Sequence, residues 1–362
     1  MKYDLSNEIR EMTEFDDPIL TSRAASAIYL SLMAFPKKGK IVMPSTICLS
    51  PIMASKLAGF EIVFVGVDKF QMDMKSATEL IVSDSTITAI LIPELYGYPV
   101  TGMENFWKAV KHREILIIED LAQTWGKSRL LGYKGQPTIV TIYSFGETKF
   151  FSEIRCGAVT PHDPNYATEI RELDARIKFD NPFTYKQAQK NYEIAYAEKL
   201  SKPFNEDSWR VFFDRAMSID SVLYNPKLEI VSLEMIQQLN SRSRIQDRNR
   251  KHLELLNALD SISNLVLPEF SNLDYPIWRT TLRVDSKFRN EIVSRIRSIN
   301  LPVSTWYLAM HKYVPVNMEG TSLVDLSTAE RFSEEVINLF IEESTPLSYS
   351  KSVMEIFLEV MN

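Results

Sequence analysis

The stretch Ile115–Thr160, ILIIEDLAQTWGKSRLLGYKGQPTIVTIYSFGETKFFSEIRCGAVT, decides how the rest of the chain is read. Three short apolar runs, Ile115 to Ile118, Ile139 to Tyr143 and Gly157 to Thr160, are bounded by polar or glycine-containing turns. Such runs predict buried parallel strands rather than helices. The first ends in Glu119-Asp120, and the second runs into Ser144-Phe145-Gly146-Glu147-Thr148-Lys149. If the two strands share a sheet, a carboxylate at one strand end and a lysine just beyond the other converge. Open α/β sheets hold their ligands outside the carboxyl ends of their strands.

A lysine amine that can form an imine with an aldehyde, and a buried aspartate that can keep a pyridine nitrogen protonated, suit pyridoxal phosphate. The pattern ED-x-A-Q followed by S-F-x-x-T-K resembles the DegT-type (DegT/StrS) sugar aminotransferases. That resemblance implies an α/β fold of the fold type I (aspartate-aminotransferase) architecture, with a large, mostly parallel, helix-covered sheet and a smaller C-terminal α+β domain. It also implies that Lys149 is the Schiff-base lysine and Asp120 the pyridinium partner. Gln123 would lie beside the cofactor ring, and Ser144 would contact its phosphate.

Upstream, SRAASAIYLSLMAF from Ser22 to Phe35 is small and apolar on nearly every side, predicting a helix buried against a sheet. Its start is rich in Ser and Ala, so backbone N–H groups there can approach an anion at the positive end of the helix dipole. The family carries a small-residue phosphate motif at this place. Ala24 and Ala25 stand at its glycine and hydroxyl positions and Ser26 follows, which makes Ser26 the candidate hydroxyl and Ser22 the alternative. A strand at Lys40 to Met43 leads into Pro44-Ser45-Thr46-Ile47-Cys48. The resemblance puts Cys48 where an aromatic residue usually stacks on the cofactor ring. LAGFEIVFVGVD (Leu57 to Asp68) and TAILIP (Thr88 to Pro93) supply further strands, and in the following ELYGYPV Glu94 stands where the family commonly has histidine. Asn105 to His112 predicts a short amphipathic helix leading back to the strand that ends at Asp120. The β–α–β alternation supports a parallel sheet.

Downstream of Lys149 the family's glycine-rich turn is reduced to Gly157-Ala158-Val159, in a chain with only 11 glycines. Arg155 is close enough in sequence to Lys149 to enter the same cleft, where it could hold a substrate phosphate or carboxylate, or it is a surface ion-pair partner. Residues 161–224 depart from the family and are rich in aromatics, including Tyr192 and Tyr196 at helical spacing; packing or a dimer interface is the plain reading, a substrate-pocket wall the sharper one. In YNPKLEIVSLEMIQQLNSR, Asn225 matches the family asparagine that reaches the phosphate of the partner subunit's cofactor, with Lys227 in place of an arginine. Apolar residues from Leu228 onward predict a long helix between domains. If Asn225 serves the partner, the enzyme is a homodimer with shared active sites. The predicted division is a cofactor-binding domain over residues 1–240 and a small domain over 241–362. In the latter, Thr280 to Asp285 predicts a strand, Lys287 to Ile299 a helix and Ser348 to Met361 a closing helix. STWYLAMHKY resembles the family's His-Tyr segment, making Trp306, Tyr307 and His311 candidate substrate residues, although His311 weighs toward a structural role.

Bulk properties exclude several classes. The 362 residues are 45% hydrophobic and 24% charged, with a net charge of -6, which gives no sign of a nucleic-acid partner. The cluster Arg242, Arg244, Arg248, Arg250 and Lys251 predicts a solvated helix face. Two cysteines imply no disulfide framework, and four scattered histidines have no metal-ligand spacing, so no metal is expected. The first residues are charged rather than apolar, and no apolar run approaches the roughly 18 residues a membrane span needs. No membrane association and a cytoplasmic location are the expectations. The substrates implied by the resemblance are small molecules: an amino donor, glutamate, and a keto-sugar that is usually nucleotide-linked. The alternatives are dehydration or other pyridoxal-phosphate chemistry on a non-sugar intermediate, or a non-catalytic relative of the fold.

Overall fold

The computed structural model describes residues 9, 10, 13, 18–146, 148–151, 156–176, 190, 191, 194, 211, 212, 215, 242–269, 276–314, 324–346 and 348–361. Asn225, Arg155, Tyr192, Tyr196 and the expected helix start at Leu228 lie outside these residues.

The first half builds a seven-stranded sheet from β1 (Ile19–Thr21), β2 (Lys40–Pro44), β3 (Glu61–Val65), β6 (Ile87–Pro93), β7 (Leu116–Asp120), β8 (Thr138–Ser144) and β9 (Gly157–Pro161). A small hairpin of β4 (Val67–Asp68) and β5 (Gln71–Met72) interrupts it in sequence. The spatial order is β1-β9-β8-β7-β6-β2-β3. Strands β3, β2, β6, β7 and β8 run parallel. The third apolar run departs from expectation, because β9 is antiparallel to β8 and β1 is antiparallel to β9. Parallel neighbours need a crossover connection, usually a helix. The chain leaving β8 instead turns straight back, with the Phe145 N–H donating to the Cys156 carbonyl at 2.8 Å.

Period-two alternation gives the two faces of the sheet separate cores. Leu116, Ile118, Val140 and Ile142 join a cluster with α1 (Ala24–Ala34), α2 (Leu49–Leu57) and α5 (Pro164–Arg176). Ile117, Ile139, Ile90 and Ile92 join another with α3 (Met74–Ser83) and α4 (Met103–Val110). The chain between β9 and β1 is so close that a side chain at Gly157 would collide with the backbone of Arg23 and Ala24 at 2.4 Å. Only glycine brings the β9 start under the first turn of α1.

The second half carries a four-stranded antiparallel sheet, in the order β10-β11-β13-β12, from β10 (Leu265–Val266), β11 (Thr280–Val284), β12 (Val303–Ser304) and β13 (Val336–Leu339). Helices α6 (Arg242–Leu259), α7 (Ser286–Ser298), α8 (Ser327–Glu335) and α9 (Tyr349–Met361) accompany it. The basic cluster does form a helix, but it is not a wholly solvated face. Arg248 is buried, pairs with Glu343 at 3.2 Å and lies 4.3 Å from the Phe150 ring centre. An arginine stem covers apolar surface readily, and here that surface is the turn after Lys149.

Two seams bind the halves together. Thr46 bridges Ala309, and the Met310 N–H donates to the Ser45 carbonyl at 2.9 Å. The Trp278 N–H donates to the Tyr96 carbonyl at 2.9 Å, beside Gly97. Gly97 has φ +86°, and a Cβ there would meet the Pro276 carbonyl oxygen at 2.7 Å. These seams carry residues of the second half to the strand ends of the first.

Candidate active site

The register of β7 on β8 brings the carboxylate and the lysine together. Asp120 pairs with Ile142, two residues before the end of β8, and Lys149 follows five residues after that end. Both side chains line one cleft with Ile47, Cys48, Pro93, Glu94, Leu95, Ala122, Gln123 and Tyr307. The Ala122 N–H donates to Asp120 Oδ1 at 2.9 Å, fixing the carboxylate. Burial raises the Asp120 carboxyl above its ordinary range, against the opposing pull of the Ala122 N–H and of Lys149. Burial likewise lowers the Lys149 amine, while Cys48 and Asp120 act to raise it and Arg279 lowers it further. An amine whose proton is loosened by burial is a better nucleophile near neutral pH.

Gln123 is clamped at both ends. Its Oε1 accepts from the Tyr96 N–H at 2.6 Å, and its Nε2 donates to the Tyr307 hydroxyl. Tyr307 arrives from the second half through the Ser45–Met310 seam and stacks against Trp306, with ring centres 5.7 Å apart. Trp306 in turn stacks against Trp278 at 6.4 Å. Cys48, at the mouth of α2, is the small residue facing this aromatic wall, and burial pushes its thiol up.

The remaining candidates sit around rather than in this lining. Ser144 closes β8 opposite Gly157, the residue packed against the Arg23–Ala24 peptide. Its strand end therefore neighbours the first turn of α1, where Ala25 is buried and the Ser26 hydroxyl lies 3.2 Å from that of Ser22. His311 is held at both ring nitrogens, Nδ1 2.7 Å from the Ser45 hydroxyl and Nε2 3.1 Å from Glu330, and it clasps the seam beside the cleft. Among the described residues there is no cluster able to hold a metal. No described helix is long and apolar enough to cross a membrane.

Sequence reading missed three contributors. Trp278 and Arg279 precede β11, where nothing in DYPIWRTT marks them apart from the aromatic itself. Arg129 ion-pairs with Glu94 through Nε, a partnership 35 residues apart with no motif to announce it.

The geometry fits pyridoxal phosphate: a carboxylate and an amine meet in one buried cleft, and a helix N-terminus lies beside a serine-bearing strand end. Comparison with known proteins points the same way. A family model described as the DegT/DnrJ/EryC1/StrS aminotransferase family matches residues 3–357. GDP-perosamine synthase of Escherichia coli O157:H7 is 25% identical over 161 residues, a segment that spans 43% of this chain and 43% of that protein. Among solved structures, the sugar aminotransferase CalS13 from Micromonospora echinospora superposes with a TM-score of 0.71 at 15% identity, over 98% of this chain and 90% of that one. NtdA from Bacillus subtilis, solved with bound cofactor PMP, gives a TM-score of 0.69 at 17% identity, over 99% of this chain and 76% of that one. At such identities these structures establish the fold, which is the expected one.

Proposed function

The chain belongs to the DegT/DnrJ/EryC1/StrS aminotransferase family, and from that premise we propose a pyridoxal-phosphate-dependent aminotransferase that moves an amino group from glutamate to a nucleotide-linked keto-sugar. One observation carries the reading: Asp120 and Lys149, from neighbouring strand ends, line the same buried cleft. The nucleotide-sugar class is supported by the partial likeness to GDP-perosamine synthase.

When bound, the cofactor supplies an aldehyde that condenses with amines and a ring that accepts electrons. The protein's own groups do the rest. Asp120, held by the Ala122 N–H, stabilises a proton on the ring nitrogen. The Lys149 amine is the group that would hold the cofactor's aldehyde carbon and would serve as general acid and base for the proton on the substrate carbon. Gln123, pinned by the Tyr96 N–H and the Tyr307 hydroxyl, sets the ring's edge. Ser144, with Ser26 and Ala25 at the N-terminus of α1, receives the phosphate, where N–H groups and the helix dipole favour an anion. Cys48 leaves the outer ring face with a small, polarizable neighbour.

By the family resemblance, Asn225 completes the partner's phosphate site, so the working unit is a homodimer. Arg155, Trp306 and Tyr307 are the proposed substrate contacts, the two domains divide near residue 240, and the setting is cytoplasmic.

Replacing Lys149 with Ala should abolish both the absorbance of the covalent lysine–cofactor linkage and turnover of glutamate with a panel of nucleotide keto-sugars. A Lys149→Ala protein that still transferred the amino group would overturn the assignment. Water loss from the sugar without glutamate consumption would favour a dehydratase instead.

A further inference from the structure

We propose that Trp278 is a positioning residue for the Lys149 amine, holding the lysine-bearing turn by its indole N–H and the amine by its ring face. This rests on Lys149 being the cofactor-linking lysine. Two independent contacts carry it. The indole Nε1–H donates to the carbonyl of Thr148, the residue immediately before Lys149. The Lys149 Nζ lies 4.8 Å from the centre of the same ring, within the range in which a cation is held by an aromatic face. One side chain thus grips both the backbone that carries the lysine and the reactive end of it.

Trp278 is itself rigidly placed. It is fully buried, its backbone N–H donates to the Tyr96 carbonyl, and Gly97 admits its backbone against the turn after β6. Trp306 stacks on it, and Arg279 sits 4.1 Å from its ring centre, anchored by Glu342 at 3.1 Å and the Ser304 hydroxyl at 3.0 Å. The second half of the chain therefore places the amine that the first half supplies. The charged and titratable groups that face the amine are Asp120 from β7, Cys48 from the turn after β2, Glu94 at the end of β6, Arg279 from before β11, and Tyr307 beyond β12. Cys48, Asp120 and the Trp278 face favour the ammonium form. Burial and Arg279 favour the free amine, the form that attacks an aldehyde.

The test follows linkage of pyridoxal phosphate to cofactor-free protein by absorbance, as a function of pH. Wild type should link with a rate that rises through the amine's midpoint. Trp278→Leu should move that midpoint about one unit lower, the size of a partly desolvated cation–π contact. Trp278→Phe keeps a ring face and loses the bond to Thr148. It should restore the midpoint while linking several-fold more slowly. If Trp278→Leu fails to fold by circular dichroism, chain-wide 5-fluorotryptophan, which weakens the ring face without changing its shape, should shift the midpoint in the same direction by less. Folded Trp278→Leu or fluorinated protein with the wild-type midpoint, or Trp278→Phe linking at the wild-type rate, overturns the proposal. A wild-type protein that links the cofactor at no pH overturns both this inference and the proposed function. Linkage without amination of any keto-sugar sinks only the latter.

Discussion

The two faces of the sheet carry buried charge at the same strand ends, and they treat it oppositely. On one face Asp120 and Lys149 line a common cleft, and the Asp120 carboxylate accepts from the Ala122 N–H. On the other, Glu119 accepts from the Arg129 N–H and the Thr141 hydroxyl, each at 2.8 Å, with His162 3.2 Å from that hydroxyl. Glu94, at the end of β6, pairs with Arg129 and also lines the cleft. Successive residues of one strand point to opposite faces, so Glu119 and Asp120 differ in fate by a single step of the backbone. Buried charge is costly unless paired. Asp120 keeps bonding capacity for a ligand, and Glu119 spends its own on the fold. Substitutions should separate the two accordingly.

The largest effect belongs to the cleft. Asp120→Ala should lower turnover roughly 10²–10³-fold, the usual cost of removing an electrostatic stabiliser from an active site. The same change should cost no more than about 3 kcal/mol of stability, the upper worth of one hydrogen bond to a charged group. Steady-state kinetics and denaturant unfolding check the two halves. An Asp120→Ala protein that unfolds readily would erase the contrast.

The Glu94–Arg129 pair at the edge of the cleft should show the reverse. Arg129→Met leaves Glu94 buried without its cation, which should destabilise the protein by about 3–5 kcal/mol at pH 8. The Glu94 carboxyl is lifted by burial from 4.5 to about 7 even with Arg129 present. Between those values the folded protein holds a proton that the unfolded chain has released. This stability is present in full below about pH 4.5 and is lost as pH rises through 7. Glu94→Gln removes that titration. The variant should therefore gain on the parent between pH 4.5 and 7 by up to about 3 kcal/mol. His162, pushed down to about 4, titrates with the opposite sign but does so in both proteins and cancels from the difference. A pH-independent difference in unfolding free energy would show that Glu94 is not sealed.

The contrast also marks what the sequence made legible. Asp120 and Lys149 were readable because each ends or follows an apolar run within one continuous stretch, where local pattern and strand register agree. The same holds for α1, β2, β6 and β11, each of which forms from one short local run. The Glu94–Arg129 pair was not readable, since a loop residue and a strand end meet through tertiary packing alone. The antiparallel return of β9 was hidden for a related reason: an apolar run records burial on both faces, which a strand enclosed by β1 and β8 satisfies in either direction. Arg248 looked like solvated charge because composition cannot show that Glu343 and Phe150 lie beneath it. Trp278 needed Gly97 and the fold of the second half to reach Lys149.

Tyr307 tests the contrast at its finest grain, because it is a second-half residue that completes the cleft rather than the fold. Its hydroxyl accepts from Gln123 Nε2, while Gln123 Oε1 stays bound to the Tyr96 N–H. Tyr307→Phe keeps the stacking on Trp306 and removes one hydrogen bond, worth about 0.5–1.5 kcal/mol. Gln123 then retains its position along the chain but loses its rotational stop. Cofactor affinity should fall by no more than about tenfold, with thermal stability almost unchanged. Equilibrium dialysis of the cofactor against parent and variant measures it. An affinity loss far beyond that range would mean that the hydroxyl bonds the cofactor directly, in addition to its proposed contact with the substrate, rather than only supporting Gln123.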